Sequence, residues 1–216
     1  TSALISGLQS NTTFTLHVRT VARSAPPTAF SVLGATITTA ALPLTATPAF
    51  TGETAAAFTA RWLAGGNAGG TWFDAVVSTG NPQDPGAAFT QALSTQPFGA
   101  PSVAYAGLQI NTTYYLFVRA RNHTGGAAAF SLLGTTSTLA NDPLPAAPTT
   151  FVRVDFNAVH YAWAANGNAA GTRYLAEMSL NPGFAPVDRS TVTTSTLAFA
   201  SATLPAPGPP PSSFMN

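Results

Sequence analysis

A fourteen-residue segment occurs twice in the chain, one hundred positions apart, and this long period limits the possible folds more than any other feature. GLQSNTTFTLHVRT covers residues 7–20 and GLQINTTYYLFVRA covers residues 107–120, with nine of fourteen positions identical. A second pair, RWLAGGNAGGTWFDAVVS at 61–78 and AWAANGNAAGTRYLAEMS at 162–179, shares nine of eighteen positions. A repeat of about one hundred residues predicts a row of small domains rather than one large core.

The repeated segments alternate apolar and polar side chains, which is typical of half-buried β strands. In the first copy Phe14, Leu16 and Val18 share one face, and threonine, histidine and arginine occupy the other. No segment shows a sustained period of 3.6 residues with capping residues, so we expect almost no helix. For the middle of the chain the pattern predicts seven strands: one near Phe50 and six more at 54–63, 71–79, 89–94, 102–108, 114–121 and 130–139.

Two proline-spaced segments, ALPLTATP at 41–48 and NDPLPAAP at 141–148, divide the chain. Prolines hold such segments extended, so we predict two semi-rigid linkers. A proline-rich tail follows, which cannot form a central strand because proline lacks the N–H donor. The predicted order is therefore a back half of a first repeat at 1–40, a linker at 41–48, a complete repeat at 49–140, a linker at 141–148, a front half of a third repeat at 149–204 and the tail at 205–216.

These motifs together resemble a fibronectin type III domain. A tryptophan ends the second strand, a Gly/Asn turn follows, Thr-x-aromatic opens the third strand, and Leu-x-x-x-Thr-x-Tyr precedes an alternating strand. The resemblance is to tandem repeats of bacterial secreted or surface proteins. It implies an all-β fold of seven-stranded, immunoglobulin-like β sandwiches, one complete and two partial. With strands lettered A to G, residues 1–40 would hold strands E–F–G and residues 149–204 strands A to E.

The resemblance also implies roles for single residues. Trp62 and Trp163 match the core tryptophan of the family. Leu108, Thr112 and Tyr114 match its tyrosine corner, in which the tyrosine hydroxyl bonds to backbone and locks the corner of the sandwich.

The chain departs from the family at two positions of this corner. Ile110 and, in the first copy, Ser10 stand where the family usually has proline. Phe14 stands where the first copy should have the tyrosine, so the hydroxyl bond is expected to be missing there.

Composition excludes several classes of protein. Only 7% of residues are charged, well below the roughly 25% of typical soluble domains. The net charge of +1 offers no attraction for nucleic acid, and no apolar run is long enough to insert into a membrane. There is no cysteine, so each domain needs a complete hydrophobic core; the absence is compatible with an oxidising exterior. The first residues, TSALISGL, suggest a processed or excerpted part of a longer product.

The sequence offers no catalytic constellation, and we expect neither an enzyme nor a cofactor. His17, His123 and His160 fall in different repeats without a nearby acidic pattern, so a hydrolase triad has no support. The aspartates follow no calcium-loop spacing, so no metal site is predicted. Those considered are Asp84, Asp142, Asp155 and Asp188.

Three N-x-T sequons, at Asn11, Asn111 and Asn122, are possible glycosylation sites. Asn11 and Asn111 lie inside the corner motif, where Asn and Thr also suit the turn itself. A structural role is therefore the favoured interpretation of these two. The threonine-rich strands and connectors are also compatible with O-linked sugar.

Alternation on the third and sixth strands of the middle repeat predicts a surface patch. If Phe73 faces the core, its neighbours along the strand face outward, and the same reasoning applies to the strand after Tyr114. The two strands are adjacent in this fold, so an exposed apolar patch is expected, either a partner interface or a surface covered by neighbouring parts of the protein. The predicted patch consists of Trp72, Val76, Tyr115 and Phe117.

The two partial repeats suggest a function. Unpaired sheet edges recruit other strands, so the back half of one subunit could complete the front half of the next and form a head-to-tail filament. Alternatively, the chain is an excerpt of a longer array. The leading hypothesis is a structural subunit of an extracellular or cell-surface fibre or stalk, with itself or neighbouring repeats as partner. The alternative is an adhesin or carbohydrate-binding spacer module, in which Trp72 and Tyr115 stack on glycans.

Overall fold

In this computed structural model, the regular structure of the described residues is entirely β. The structure describes residues 2–80, 94–97, 101–156, 158–184, 187, 189–195 and 199–205. Fifteen strands lie in these ranges, and none of the described residues forms a helix that could cross a membrane. The prediction of an all-β fold is confirmed.

The chain divides into two compact units whose boundaries differ from those of the repeats. The first unit comprises Thr1–Glu53, Ala57–Ala106 and Thr113–Ser137. The second comprises Thr54–Ala56, Gly107–Thr112 and Thr138–Asn216. The first unit therefore holds the first repeat and the sheets of the middle repeat, and the second holds the middle repeat's corner together with the third repeat.

The described residues of the middle repeat form seven strands in two sheets. They are β3 (Leu44–Thr51), β4 (Ala57–Leu63), β5 (Trp72–Ser78), β6 (Ser94–Pro97), β7 (Ser102–Ala106), β8 (Thr113–Arg121) and β9 (Ser131–Ser137), preceded in the first repeat by β1 (Thr13–Val18) and β2 (Ser31–Ile37). One sheet has the order β3-β4-β7 and the other β6-β5-β8-β9, with every pair antiparallel. This is the A-B-E and C′-C-F-G arrangement of a fibronectin type III-like sandwich, so the predicted fold is confirmed.

Alternation along β4, β5 and β8 builds the core of this sandwich. Phe58 contacts Tyr114 across the two sheets at a ring-centroid distance of 5.9 Å, and Trp62 contacts Phe73 at 6.0 Å, both edge to face. All four side chains are buried. Because edge-to-face aromatic pairs add to the burial of their large apolar surface, these contacts stabilise the packing of the two sheets.

The predicted linker at 41–48 is largely strand, and this prediction is wrong. β3 begins at Leu44, and Thr45 pairs with Trp62 at the edge of the three-stranded sheet. An edge strand tolerates proline, and the register shifts between Thr45 and Phe50, on either side of Pro48. The linker predicted at 141–148 likewise contains a short strand. Proline spacing indicated extension correctly but did not distinguish a spacer from an edge strand.

The first repeat consists of the β1–β2 hairpin. Its register, Thr13↔Ile37 to Val18↔Ser31, repeats that of β8 with β9, including the irregularity after Leu16. Gly34 stands at this irregularity with φ 138°, a conformation that favours glycine. Residues 3–8, predicted as strand E, form no strand. Strand E of the middle repeat pairs with strand B, and residues 3–8 have no such partner among the described residues.

The third repeat also forms two sheets. Its strands are β10 (Leu144–Pro145), β11 (Phe151–Val154), β12 (Ala158–Ala164), β13 (Thr172–Met178), β14 (Arg189–Ser195) and β15 (Phe199–Pro205). β12 pairs with β10, β11 and β15, and β13 pairs with β14. These correspond to A-B-E and C-C′ of the middle repeat. Residues 206–216 of the predicted tail and 89–93 of one predicted strand lie outside the described residues.

Candidate interaction sites

The predicted exposed patch on β5 and β8 is corrected by the structure. Trp72 is 50% exposed, but Val76 and Phe117 are only 3% and 2% exposed, and Tyr115 is half-buried. Val76 and Phe117 pair directly at the centre of the four-stranded sheet, flanked by further strands on both sides. Alternation assigns a side chain to a face of the sheet and says nothing of what covers that face.

The same face carries a buried carboxylate that the sequence analysis did not single out. Asp74 is 0% exposed, and its carboxylate accepts hydrogen bonds from Nε of Arg119 at 2.7 Å and Nε of Arg121 at 2.8 Å. A second nitrogen of Arg121 lies 2.7 Å from the same carboxylate. Arg119 also stacks over the ring of Phe130 at 4.5 Å. The guanidinium groups of both arginines therefore lie at the buried carboxylate of Asp74.

The Asp74 cluster, formed by Asp74, Arg119 and Arg121, is expected to make the stability of the protein depend on acid pH. Burial alone raises the pKa of the Asp74 carboxyl, but hydrogen bonds and charge from Arg121 and Arg119 outweigh it and hold the pKa below its ordinary value. A carboxylate of lowered pKa stabilises the folded state above the unfolded-state pKa, about 4, and this contribution is lost as the pH falls through the folded-state pKa. We expect the urea midpoint to decline below about pH 4, and to decline less steeply in Asp74→Asn. An equal pH dependence of both proteins would contradict this assignment.

The core and corner residues implied by the family resemblance lie inside the protein. Trp62, Tyr114 and Leu108 are buried in the middle repeat. Thr112 is partly buried, and its hydroxyl donates to the carbonyl of Ile110 at 3.0 Å. In the third repeat, Trp163 forms a small core with Tyr161 and Tyr174, at ring-centroid distances of 5.7 and 5.4 Å.

The corner motif of the first repeat docks on a loop of the middle repeat through Asn11. Asn11 is fully buried, and its left-handed backbone, φ 53°, is a conformation that asparagine tolerates better than most residues. Its Nδ2 donates to Oγ1 of Thr71 at 2.7 Å and to the carbonyl of Arg121 at 3.3 Å. Its Oδ1 accepts from the backbone N–H of His123 at 2.9 Å. One side chain thus connects three segments of the first unit.

Asn67 completes this junction from the other side. Its Oδ1 accepts from the N–H of Ala41 at 2.7 Å, and its Nδ2 donates to the carbonyls of Ala41 at 3.0 Å and Ala64 at 2.6 Å. The N–H of Ala68 donates to the carbonyl of Ser10 at 3.1 Å. The residues that follow the first repeat are therefore bound to the same glycine-rich loop that receives Asn11.

The second junction, within the second unit, repeats the Asn–Thr bond of the first and the bonds of its loop asparagine to the backbone. Asn111, φ 49°, donates from Nδ2 to Oγ1 of Thr172 at 2.7 Å. Asn168 donates to the carbonyl of Asn141 and accepts from its N–H, both at 2.8 Å. Thr172 in turn donates to the carbonyl of Ala169 at 2.6 Å, as Thr71 does to Ala68. We call this set, Asn11–Thr71 with Asn67 and Asn111–Thr172 with Asn168, the Asn–Thr junction.

The hydrogen bonds of the three sequon asparagines bear on the two interpretations, glycosylation site or structural residue. The Nδ2 atoms of Asn11 and Asn111, which a glycan would occupy, donate hydrogen bonds within the folded protein. Asn122 differs, because only its Oδ1 takes part, accepting from the N–H groups of Thr124 at 3.2 Å and Gly126 at 2.7 Å in a surface turn. Asn122 is therefore the sequon whose amide nitrogen a glycan could use without breaking the described hydrogen bonds.

The three histidines each have contacts in different parts of the fold. The ring of His17 lies edge-on to Phe30 at 6.5 Å, and His160 Nε2 lies 3.2 Å from Oδ2 of Asp155. Within the described ranges, no three His, Cys, Asp or Glu side chains are grouped so as to hold a metal ion. Asp84 and Asp188 lie outside those ranges. Asp142 is exposed, and its carbonyl accepts from Nδ2 of Asn166 at 2.9 Å.

Comparison with known proteins shows likeness of fold alone. No protein-family model and no curated protein matches the sequence. A two-domain fibronectin type III segment of chicken tenascin is 12% identical, with 78% of this chain and 86% of that chain covered and a TM-score of 0.46. Domains d3–d4 of the rat CD45 extracellular region are 14% identical, covering 64% and 70%, with a TM-score of 0.38. The FN1–FN3 domains of chicken CNTN1 are 12% identical, covering 89% and 67%, with a TM-score of 0.33.

Proposed function

We propose that this tandem of fibronectin type III-like repeats is a structural subunit of an extracellular or cell-surface fibre or stalk. The observation that carries the proposal is the duplicated Asn–Thr junction. The same donor and acceptor atoms meet at 2.7 Å at both repeat boundaries. Consecutive repeats of the chain thus meet through the same head-to-tail contact, and head-to-tail contacts between subunits extend into a filament when their rotation does not close a ring.

The junction is suited to fixing one repeat on the next. Its hydrogen bonds are buried or partly buried. If they broke and water did not replace the lost partner, each unsatisfied polar group would cost about 1–3 kcal/mol. A flexible spacer needs no such contacts, whereas a load-bearing stalk benefits from them. Buried side-chain pairs at the boundaries therefore favour a mechanical role over a purely passive linker.

The proposal includes head-to-tail assembly in which neighbouring subunits complete each other's partial sandwiches. It is supported by the apolar residues exposed on the β1–β2 hairpin, among them Leu16, Val32 and Leu33. Exposed apolar strands with unpaired edges favour the addition of further strands.

The alternative, a carbohydrate-binding module, is less well supported. Trp72 pairs with Arg121 and Tyr115 with Ser78, so the two rings lie at opposite ends of the β5–β8 pair. Six residues along a strand span about 20 Å. The two aromatic side chains therefore do not form a single stacking surface, although the exposed Trp72 could still contact a sugar by itself.

Negative-stain microscopy of the purified chain over a range of concentrations tests the proposal. We expect linear assemblies whose length increases with protein concentration, in the wild type and equally in Trp72→Ala. Dispersed monomers at every concentration, supported by light scattering, would exclude the fibre. Glycan-array binding by the wild type that is lost in Trp72→Ala would instead establish the binding module.

A further inference from the structure

We infer that β1 of one copy pairs with β13 of a second copy, in the register that β8 has with β5 in the middle repeat. The inference rests on the proposed fibre function and names the surfaces that would join its subunits. The middle repeat serves as the template. It contains both the β8–β9 pair, which corresponds to β1–β2 of the first repeat, and the β5–β6 pair, which corresponds to β13–β14 of the third repeat.

The β1–β2 hairpin of the first repeat has the same strand register as β8–β9 of the middle repeat, but its apolar face is exposed instead of buried. On the face that is core in the middle repeat, Leu116, Val118 and Leu133 are 0%, 0% and 6% exposed. Their counterparts Leu16, Val18 and Leu33 are 44%, 45% and 63% exposed. The backbone registers of the two hairpins agree, so the difference lies in what covers them. The hairpin is thus already shaped to receive a strand C and the sheet behind it.

The third repeat presents the complementary set. β13 pairs with β14 as β5 pairs with β6, but among the described strands its other edge is unpaired, where β5 pairs with β8. Tyr174, Ala176 and Met178 of β13 face the same small core as Trp163. They stand at the positions of Phe73, Ala75 and Val77, which lie against the buried side chains of β8 in the middle repeat.

The template predicts the register. Thr71 aligns with Thr172 and Gly7 with Gly107, so the observed pair Val76↔Phe117 corresponds to Glu177 opposite His17.

Charge favours this register. His17 and Glu177 are both exposed, and Arg19 lies diagonally opposite Glu177, within reach of a long side chain. In the middle repeat the corresponding face holds the Asp74–Arg119–Arg121 cluster. Leu175 stands at the position of Asp74, so the acidic residue of β13, Glu177, lies two residues further along the strand. In the proposed register it still lies opposite β1, which carries Arg19.

Engineered cysteines test the pairing, because the native chain contains none. Directly opposite residues in a sheet have Cβ atoms about 4.5–5.5 Å apart, close enough for a disulfide after small adjustment. We expect the double variant His17→Cys/Glu177→Cys to form, under mild oxidation, a ladder of covalent multimers on a denaturing gel, and a reducing agent to collapse the ladder to the monomer band. Both positions are exposed, so neither substitution removes a core side chain.

The matched control is His17→Cys/Arg173→Cys. Arg173 is also exposed on β13 but lies four residues away, about 13 Å along the strand, too far for a disulfide. We expect at least tenfold less multimer from the control. Linear assemblies without a ladder would overturn the β1–β13 pairing and leave the fibre function standing. Equal ladders from both variants would overturn the register, and dispersed monomers without a ladder would overturn both proposals.

Discussion

Replacing Asn11 by alanine is expected to release the first repeat from the middle repeat and leave the middle sandwich folded. The change removes the hydrogen bonds to Thr71 and His123 and places alanine in a left-handed backbone conformation, φ 53°. Lost buried hydrogen bonds and backbone strain together are expected to cost about 3 kcal/mol. Because an isolated hairpin is at best marginally stable, this loss should appear in the β1–β2 hairpin. Hydrogen exchange of the hairpin amides should accelerate by about 100-fold, since 1.4 kcal/mol corresponds to a factor of ten.

Two further variants separate the causes of this effect. Asn11→Gly also removes the side chain but tolerates the positive φ, so it should cost roughly 1 kcal/mol less than alanine. Asn111→Ala makes the same change at the second junction, where Asn111 donates to Thr172 from a backbone with φ 49°, so exchange of the β1–β2 amides should be unchanged. Unchanged hairpin protection in Asn11→Ala would show that the Asn–Thr junction does not hold the first repeat.

The fold could be predicted from the sequence because its determinants are local or periodic. Alternation around Leu116 identifies a strand without reference to any distant residue, and the repeat of Trp62 as Trp163 shows that the same unit recurs. Proline is the residue at which such local patterns are ambiguous. Pro48 indicates an extended backbone equally well for a linker and for an edge strand, and only the pairing of Thr45 with Trp62 distinguishes them.

The contacts of the Asn–Thr junction were harder to predict because they join residues far apart in the chain. Asn11 and Asn111 were expected to have structural roles in the corner turn, but their partners Thr71 and Thr172 are 60 and 61 positions away. One signal was available: both members of each pair recur in the repeats. The predicted patch was wrong for a related reason, because alternation along β5 cannot reveal that Val76 is buried.

Replacing Asp74 by asparagine is expected to have the other large effect, this time on the middle sandwich itself. The buried carboxylate would become a neutral amide, whose NH₂ group cannot accept from the guanidinium groups of Arg119 and Arg121. Breaking a fully buried ion pair costs about 3–5 kcal/mol. The side chains of Arg119 and Arg121 are 26% and 35% exposed and can be partly rehydrated, so we expect a loss of about 2–3 kcal/mol in the urea-unfolding free energy of the middle repeat.

Asp155→Asn is the control variant, because it removes an aspartate that pairs with arginine near the surface instead of in the interior. Asp155 also accepts a hydrogen bond from an arginine, Nε of Arg153 at 2.6 Å, but this pair lies near the surface of the third repeat. Exposed pairs contribute at most about 1 kcal/mol, and salt weakens them. If burial determines the contribution, Asp74→Asn should lower stability more than Asp155→Asn, and the difference should persist at high salt. Similar small losses in both variants would show that water solvates the Asp74 cluster and that it does not hold the outer face of the β5–β8 pair together.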